Sequence, residues 1–181
     1  LARQRGELLE AETTILRETG QSHRFLAYPY GEFDARIKAM LGEEGYVGFA
    51  QNSGAIGYNS DFLALPRYPL AGIYARLETA RVKLNSLAFD VELLEPDSPV
   101  TDLERPEALL RFNLNGISQS QLQCYDEGEA LMLHWEDRDS GLLRIQALKA
   151  HSGRRWRYIC TAPSMENGRY FWYSVPWINP W

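Results

Sequence analysis

Near residue 94 the hydrophobic pattern of this chain changes period, and that change limits what it can fold into. Upstream, apolar residues recur at helical spacing in stretches separated by short apolar runs. Downstream they alternate one by one. The first pattern belongs to helices alternating with buried strands, the second to an antiparallel sheet with one buried face.

In the upstream part, residues 1–19 predict an amphipathic helix with Leu1, Leu8, Leu9, Ile15 and Leu16 near one face and Gly20 as its stop. "HRFLAYP" predicts a short buried strand. "EFDARIKAMLGEEG" predicts a second helix with Phe33, Ile37, Met40 and Leu41 inward, and "GYVGFA" a second strand. After the polar loop "QNSGAIGYNSD", "FLALPRYPL" reads as a strand interrupted by prolines. "YARLETARVKL" then reads as a third helix whose apolar side is Tyr74, Leu77, Ala80 and Leu84. Helices alternating with short apolar strands imply βαβ units, a parallel sheet and right-handed crossovers.

The run "EPDSPVTDLERPEA", rich in proline and acid, predicts an exposed linker over residues 95–107. Beyond it, in "LLRFNL", Leu110, Phe112 and Leu114 share a face while Arg111 and Asn113 point away. "LQCY", "LMLHWED", "LLRIQAL" and "WRYIC" follow, separated by turn signals such as "DRDSG" and "ENG", and "RYFWYSVPW" closes the series. Residues 108–181 thus read as a small antiparallel β-sandwich.

The strand phases bear on the two cysteines. Cys124 is in phase with Leu122, and Cys160 with Trp156 and Tyr158, so both sulfurs point into one core. They are two free core thiols or a disulfide; the phases and the small size of the sandwich favour the bridge. It would be worth roughly 4 kcal/mol in the chain-entropy model and implies an oxidising compartment. Neither cysteine sits in a CxxC or Cys/His metal spacing.

Bulk composition narrows the partners. At 45% hydrophobic and 24% charged residues the chain is ordinary for a folded protein. A net charge of -5 without any stripe of Lys or Arg sets nucleic acid aside. No segment approaches the roughly 20 apolar residues of a membrane span. No GxGxxG or GKS/T loop follows a strand, so a phosphate-cradling cofactor site finds no support. The chain opens at Leu1 without a Met, which reads as a truncated or processed start.

"FLAYPYGEFDARIKAMLGEEGYVGFAQNSG", followed by "DFLALPRYPL", resembles the C-terminal half of polysaccharide deacetylases of the NodB-homology (carbohydrate esterase 4) family, over about residues 1–90. The tail from "LQCYDEG" to "YICTAPSMENGRYFWYSVPWI" looks like an accessory β-domain of a bacterial subgroup. The resemblance implies an α/β partial (β/α) barrel of the NodB deacetylase type over residues 1–94, followed by the all-β sandwich. It implies removal of N-acetyl groups from an amino-sugar polysaccharide, in an extracytoplasmic setting, with a divalent metal, zinc foremost, polarising the acetyl carbonyl and activating water.

The family's "TFDD" and "HxxxH" motifs are absent, and His23, His134 and His151 are isolated. The resemblance therefore implies a portion that binds no metal and is inactive alone. It would be completed by a missing N-terminal barrel segment or a second copy. "AYPY" aligns with the family's R-x-P-Y motif. By that alignment Tyr30 offers its backbone N–H to the developing oxyanion, while Pro29 and Gly31 shape the turn. Ala27 stands where the motif has arginine; Arg67 in "LPRYP" either replaces that charge or is a strand-end arginine at the surface. "PYG" can equally be no more than a tight strand-to-helix turn. Asp61 and the "QNSG" loop are candidates for lining the same substrate cleft.

In "RYFWYSVPWINPW", aromatic side chains fall on both faces of one strand. The second face is covered by the α/β part, belongs to the core of a curved strand, or stacks a sugar. The last option carries the alternative function, a non-catalytic carbohydrate-binding or scaffold protein acting through the sandwich.

Overall fold

The computed structural model describes residues 1–165 and 168–180. The turn expected at "ENG" falls largely on Glu166 and Asn167, and with Trp181 these lie outside the described residues. The chain is mostly β. Two sheets face each other, and a smaller helical segment docks against one end of them.

The helical segment opens with α1 (Ala2–Thr19), which ends at Gly20 in the left-handed region. Strand β1 (Phe25–Ala27) follows, then a single turn at Pro29–Gly31, α2 (Ala35–Glu43) and β2 (Val47–Phe49). β1 and β2 pair in parallel, with Leu26 opposite Gly48. Asp34 caps α2 by accepting from the Ile37 N–H at 2.8 Å. Its apolar face buries Met40 and Leu41 against Tyr28, Phe33, Tyr46 and Ala50. Tyr28 stacks on Phe33 with ring centres 4.7 Å apart and donates its hydroxyl to the Leu63 carbonyl at 2.7 Å.

The two sheets begin before the expected linker. β3 (Ser86–Ala88) and β4 (Val91–Glu95) are followed by β5 (Glu107–Phe112), β6 (Gln123–Asp126), β7 (Glu129–Ala130), β8 (Met132–Asp137), β9 (Leu142–Gln146), β10 (Arg155–Pro163) and β11 (Tyr170–Ile178). One sheet runs β3-β11-β10-β6-β7 and the other β4-β5-β9-β8. Residues 96–106 are a loop between the antiparallel partners β4 and β5. They are tied down where Ile178 donates to the Pro99 carbonyl and Thr101 donates to that of Ile178.

The alternation carries the core between the layers. Leu110 and Phe112, Leu143 and Ile145, and Trp156, Tyr158 and Cys160 are buried, while Arg111 and Arg157 are exposed. Tyr158 donates its hydroxyl to the Pro106 carbonyl at 2.9 Å inside that core. Cys124 and Cys160 lie directly opposite each other on β6 and β10 and form a disulfide. Among the described residues no helix is long and apolar enough to cross a membrane.

The expected partial (β/α) barrel over residues 1–94 is corrected by this arrangement. The parallel sheet there has two strands, and β2 gains one bridge from Phe49 to Leu65. "FLALPRYPL" forms no strand, because Pro66 and Pro69 have no N–H to continue a ladder. "SLAFDVELL", the next apolar run, goes into the two larger sheets as β3 and β4.

The third helix also differs. α3 (Leu77–Leu84) turns Leu77 and Leu84 outward, at 76% and 80% exposure, and buries Lys83. The Lys83 ammonium donates to the Pro69 carbonyl at 2.6 Å and lies 4.6 Å from the Tyr74 ring centre. Those contacts compensate a buried cation and set the rotation of the helix.

Candidate functional site

The chain leaves β1 through Tyr28, whose N–H donates to the Phe49 carbonyl at 3.0 Å, and then reverses. Pro29 enters the turn with its fixed φ, Tyr30 takes φ 56° and Gly31 φ 72°. Tyr30 is a non-glycine residue in the left-handed region, a conformation that costs energy and is held by its surroundings. Gly31 is needed for a second reason: a Cβ there would come within 2.6 Å of the Gln51 Cβ and 2.8 Å of its backbone nitrogen. The turn is therefore pressed onto the residue that follows β2.

That neighbour links two of the residues singled out from the sequence. In the amide orientation that satisfies both partners, Gln51 donates to the Tyr30 carbonyl at 3.2 Å and accepts from Arg67 Nη2 at 3.1 Å. Arg67 also donates Nε to the Ala50 carbonyl at 2.7 Å. Its guanidinium thus lies across the carboxyl ends of β1 and β2, next to the turn. The Tyr30 side chain is 71% exposed, with the Arg155 guanidinium 5.3 Å from its ring centre. Arg155 Nη1 also donates to the Tyr30 carbonyl at 3.2 Å.

Glu32 closes the same cluster. It accepts from Arg154 Nε at 3.0 Å and Nη2 at 2.8 Å, and Arg155 Nε stands 3.7 Å away. The Arg154 guanidinium holds the Glu32 carboxyl below the usual carboxylate range. Sequence reasoning found Pro29, Tyr30, Gly31 and Arg67, and placed Gln51 in a candidate loop. It missed Glu32, Arg154 and Arg155, because a contact across the chain between separate modules leaves no local pattern.

Asp61 is elsewhere. It pairs with Lys38 and lines a cleft of about 900 Å³ whose other walls come from the 52–66 loop, β4, the end of β5 and the middle of β11. Asn52 and Gly54 of the "QNSG" loop line that cleft too. Ser174 donates to the Ser53 carbonyl and Asn52 to that of Ser174 at 3.3 Å, which fastens the loop to β11. Trp172 meets the Tyr68 ring edge-on at 5.7 Å, and Phe171 stacks on Phe89 at 5.1 Å. One face of the aromatic tail is thus met by the α/β part and the other joins the core, with Tyr170 still 52% exposed.

The histidines remain apart. His23 stacks against Phe25, His134 lies exposed on β8, and His151 Nε2 stands 2.9 Å from Asp126 with its ring on Trp156. Among the described residues no group of three or more His, Cys, Asp or Glu side chains could hold a metal ion. The donor set present does not fit a divalent-metal site.

No family model matches the chain, and no curated protein matches it. Two solved structures are similar to it at low scores. Titin M4 in its trigonal form is 15% identical, covering 42% of this chain and 77% of that one, with a TM-score of 0.28. The endo-β-1,4-mannanase of Thermotoga petrophila is 13% identical, covering 98% of this chain, with a TM-score of 0.36; the chain spans 43% of that enzyme. What the geometry defines by itself is a two-sheet β protein with a docked helical segment and a braced turn at the end of a parallel strand pair.

Proposed function

We propose that this chain is the C-terminal portion of a polysaccharide deacetylase, a hydrolase that removes N-acetyl groups from an amino-sugar polymer. The observation that carries the reading is the Pro29–Tyr30–Gly31 turn, held at the carboxyl end of β1 by Gln51 and flanked by Arg67. When water adds to an acetamide carbonyl, negative charge gathers on the oxygen. A main-chain N–H aimed from a pre-set turn stabilises that charge without reorganising. Tyr30 supplies the amide, and Arg67 supplies positive charge where Ala27 replaces the family's arginine. The residues present do not fit a metal, so in this reading the chain contributes the turn amide and positive charge, and nothing in it holds a divalent ion. The reading carries an extracytoplasmic location, with which the Cys124–Cys160 disulfide agrees.

The alternative, a carbohydrate-binding or scaffold protein acting through exposed rings of the sandwich, is disfavoured at Trp172, whose ring is covered by Tyr68.

The test combines the folded chain with a segment bearing the acidic pair and HxxxH, and measures acetate released from an acetylated glucosamine polymer. Metal-dependent release is expected from the mixture, none from the chain alone, and a strong loss with Gly31→Ala. Tyr30→Phe, which keeps the amide, retains the activity. A well-folded mixture that releases no acetate removes the reading.

A further inference from the structure

β1 has a free border. Val47 donates to the Arg24 carbonyl at 2.9 Å and Tyr28 to that of Phe49 at 3.0 Å. Arg24, Leu26 and Tyr28 therefore turn their main-chain groups toward β2, and Phe25 and Ala27 turn theirs the other way. Among the described residues no strand pairs with β1 on that side. One face of the strand pair is bare as well. Phe25 is 63% exposed, Ala27 is exposed, and their partners Val47 and Phe49 are only partly covered. Parallel strands are ordinarily covered on both faces, and a sheet of two strands is marginal by itself.

The border is chemically unguarded. Phe25, Leu26 and Ala27 include no charge and no proline, the residues that usually discourage pairing at a sheet edge. The flanking Arg24 is turned back, its guanidinium donating to the Glu44 carbonyl and lying 5.9 Å from the Tyr46 ring centre. Glu12 of α1 accepts from the His23 N–H at 2.9 Å and the Arg24 N–H at 3.3 Å, which holds the entry to β1 in place. α1 covers the layer through Leu8, yet it buries no residue of its own. Leu9, Ile15 and Leu16 lie on the side of Leu8 at helical spacing and stay exposed. A helix of 18 residues thus reaches past strands of 3.

The outward groups of β1 fit their own copy. Turned about a two-fold axis, a second β1 runs antiparallel to the first, with Leu26 opposite Leu26 at the axis and Phe25 opposite Ala27 on either side. Each Phe25–Ala27 pair then exchanges both of its N–H···O bonds, and the contact is the same patch on both partners. We infer that a second copy of this chain adds to the free border of β1, making one continuous sheet in the order β2-β1-β1-β2. The apolar Ala27 of one copy comes beside the exposed Phe25 ring of the other. The inference does not rest on the deacetylase reading. A dimer that releases no acetate leaves it standing, and acetate release from a chain that stays monomeric removes it alone.

The experiment is sedimentation equilibrium of the intact chain from about 1 to about 300 µM. The mass is expected to rise from 20.8 kDa toward twice that value across the range. Ala27→Pro removes an outward N–H without touching the ladder to β2, and Phe25→Lys puts a charge on the border. Each is expected to weaken association at least tenfold with unchanged circular dichroism. Leu148→Lys, at an exposed apolar residue of the loop between β9 and β10, is the control and is expected to change nothing. In the parent, the Phe25 and Ala27 amides are expected to exchange at least fivefold more slowly at the highest concentration than at the lowest. A monomer throughout overturns the inference. So does full association of the folded edge variants, or exchange at those two amides that ignores concentration. Growth beyond the dimer overturns the two-fold arrangement.

Discussion

Arg154 grips Glu32 with both arms of its guanidinium, Nε to Oε1 at 3.0 Å and Nη2 to Oε2 at 2.8 Å, across 122 positions of sequence. This pair joins the residue just after the β1 turn to the residue just before β10. It ties the geometry of the turn to the larger sheets.

The pair gives a pH signature. Glu32 has a carboxyl lowered from 4.5, chiefly by the Arg154 hydrogen bonds. A depressed acid contributes stability that is present above its unfolded value and lost as pH falls through the folded one. Glu32→Gln is expected to lower the urea midpoint slightly at pH 7. The difference from the parent should shrink steadily below about pH 4.5. A gap that stays constant down to pH 3 would show that the charge does not matter.

Gly31→Ala places a Cβ at 2.6 Å from the Gln51 side chain on a backbone with φ 72°. The expected cost is about 1–3 kcal/mol, read by thermal unfolding. Gly6→Ala, where a Cβ meets nothing within 4 Å in the exposed helix α1, is the control and is expected to be neutral or stabilising.

Removing the bridge by Cys124→Ala with Cys160→Ala is expected to cost about 2–4 kcal/mol. Reducing the parent protein should produce most of the same loss in a denaturant titration. An unchanged midpoint on reduction would mean that the disulfide constrains nothing the sheet does not already hold.

Tyr158→Phe leaves the buried Pro106 carbonyl without its 2.9 Å donor. The expected cost is about 1–3 kcal/mol. In the parent, burial pushes the Tyr158 phenol up to about 12, so the ultraviolet titration of the folded protein should show it among the last tyrosines to ionise.

The sandwich was the most legible part of the chain. Alternation at Leu110, Phe112, Leu143, Ile145, Trp156 and Tyr158 marks buried faces, because a strand has one period and a two-layer core needs it. The inward face of α2, with Phe33, Met40 and Leu41 buried, was equally plain. The partial barrel was not there to be found: "FLALPRYPL" has a strand's composition but lacks its donors, and "SLAFDVELL" reads the same whichever sheet receives it. α3 misled for another reason. Leu77 and Leu84 lie at helical spacing, yet the contacts of Lys83 with Pro69 and Tyr74 decide the rotation, and hydrophobic spacing does not encode them. At the site, Pro29, Tyr30 and Gly31 announce a turn on their own. Arg154 and Arg155, which brace it, sit at the start of β10, 122 and 125 positions from their partners, and are visible only once the sheets have formed.

β3 runs beside β11 in parallel, with Ser86 opposite Tyr170 and Ala88 opposite Trp172. A border strand of one layer, and β4 at the border of the other, thus come from the part of the chain that also carries the helical segment. The two halves are consequently not interchangeable modules that recombination could separate near residue 94. A polypeptide beginning there would lose an outer member from each layer, baring unpaired amides along both margins and inviting self-association. Inheritance of the braced turn and of the β layers must then go together.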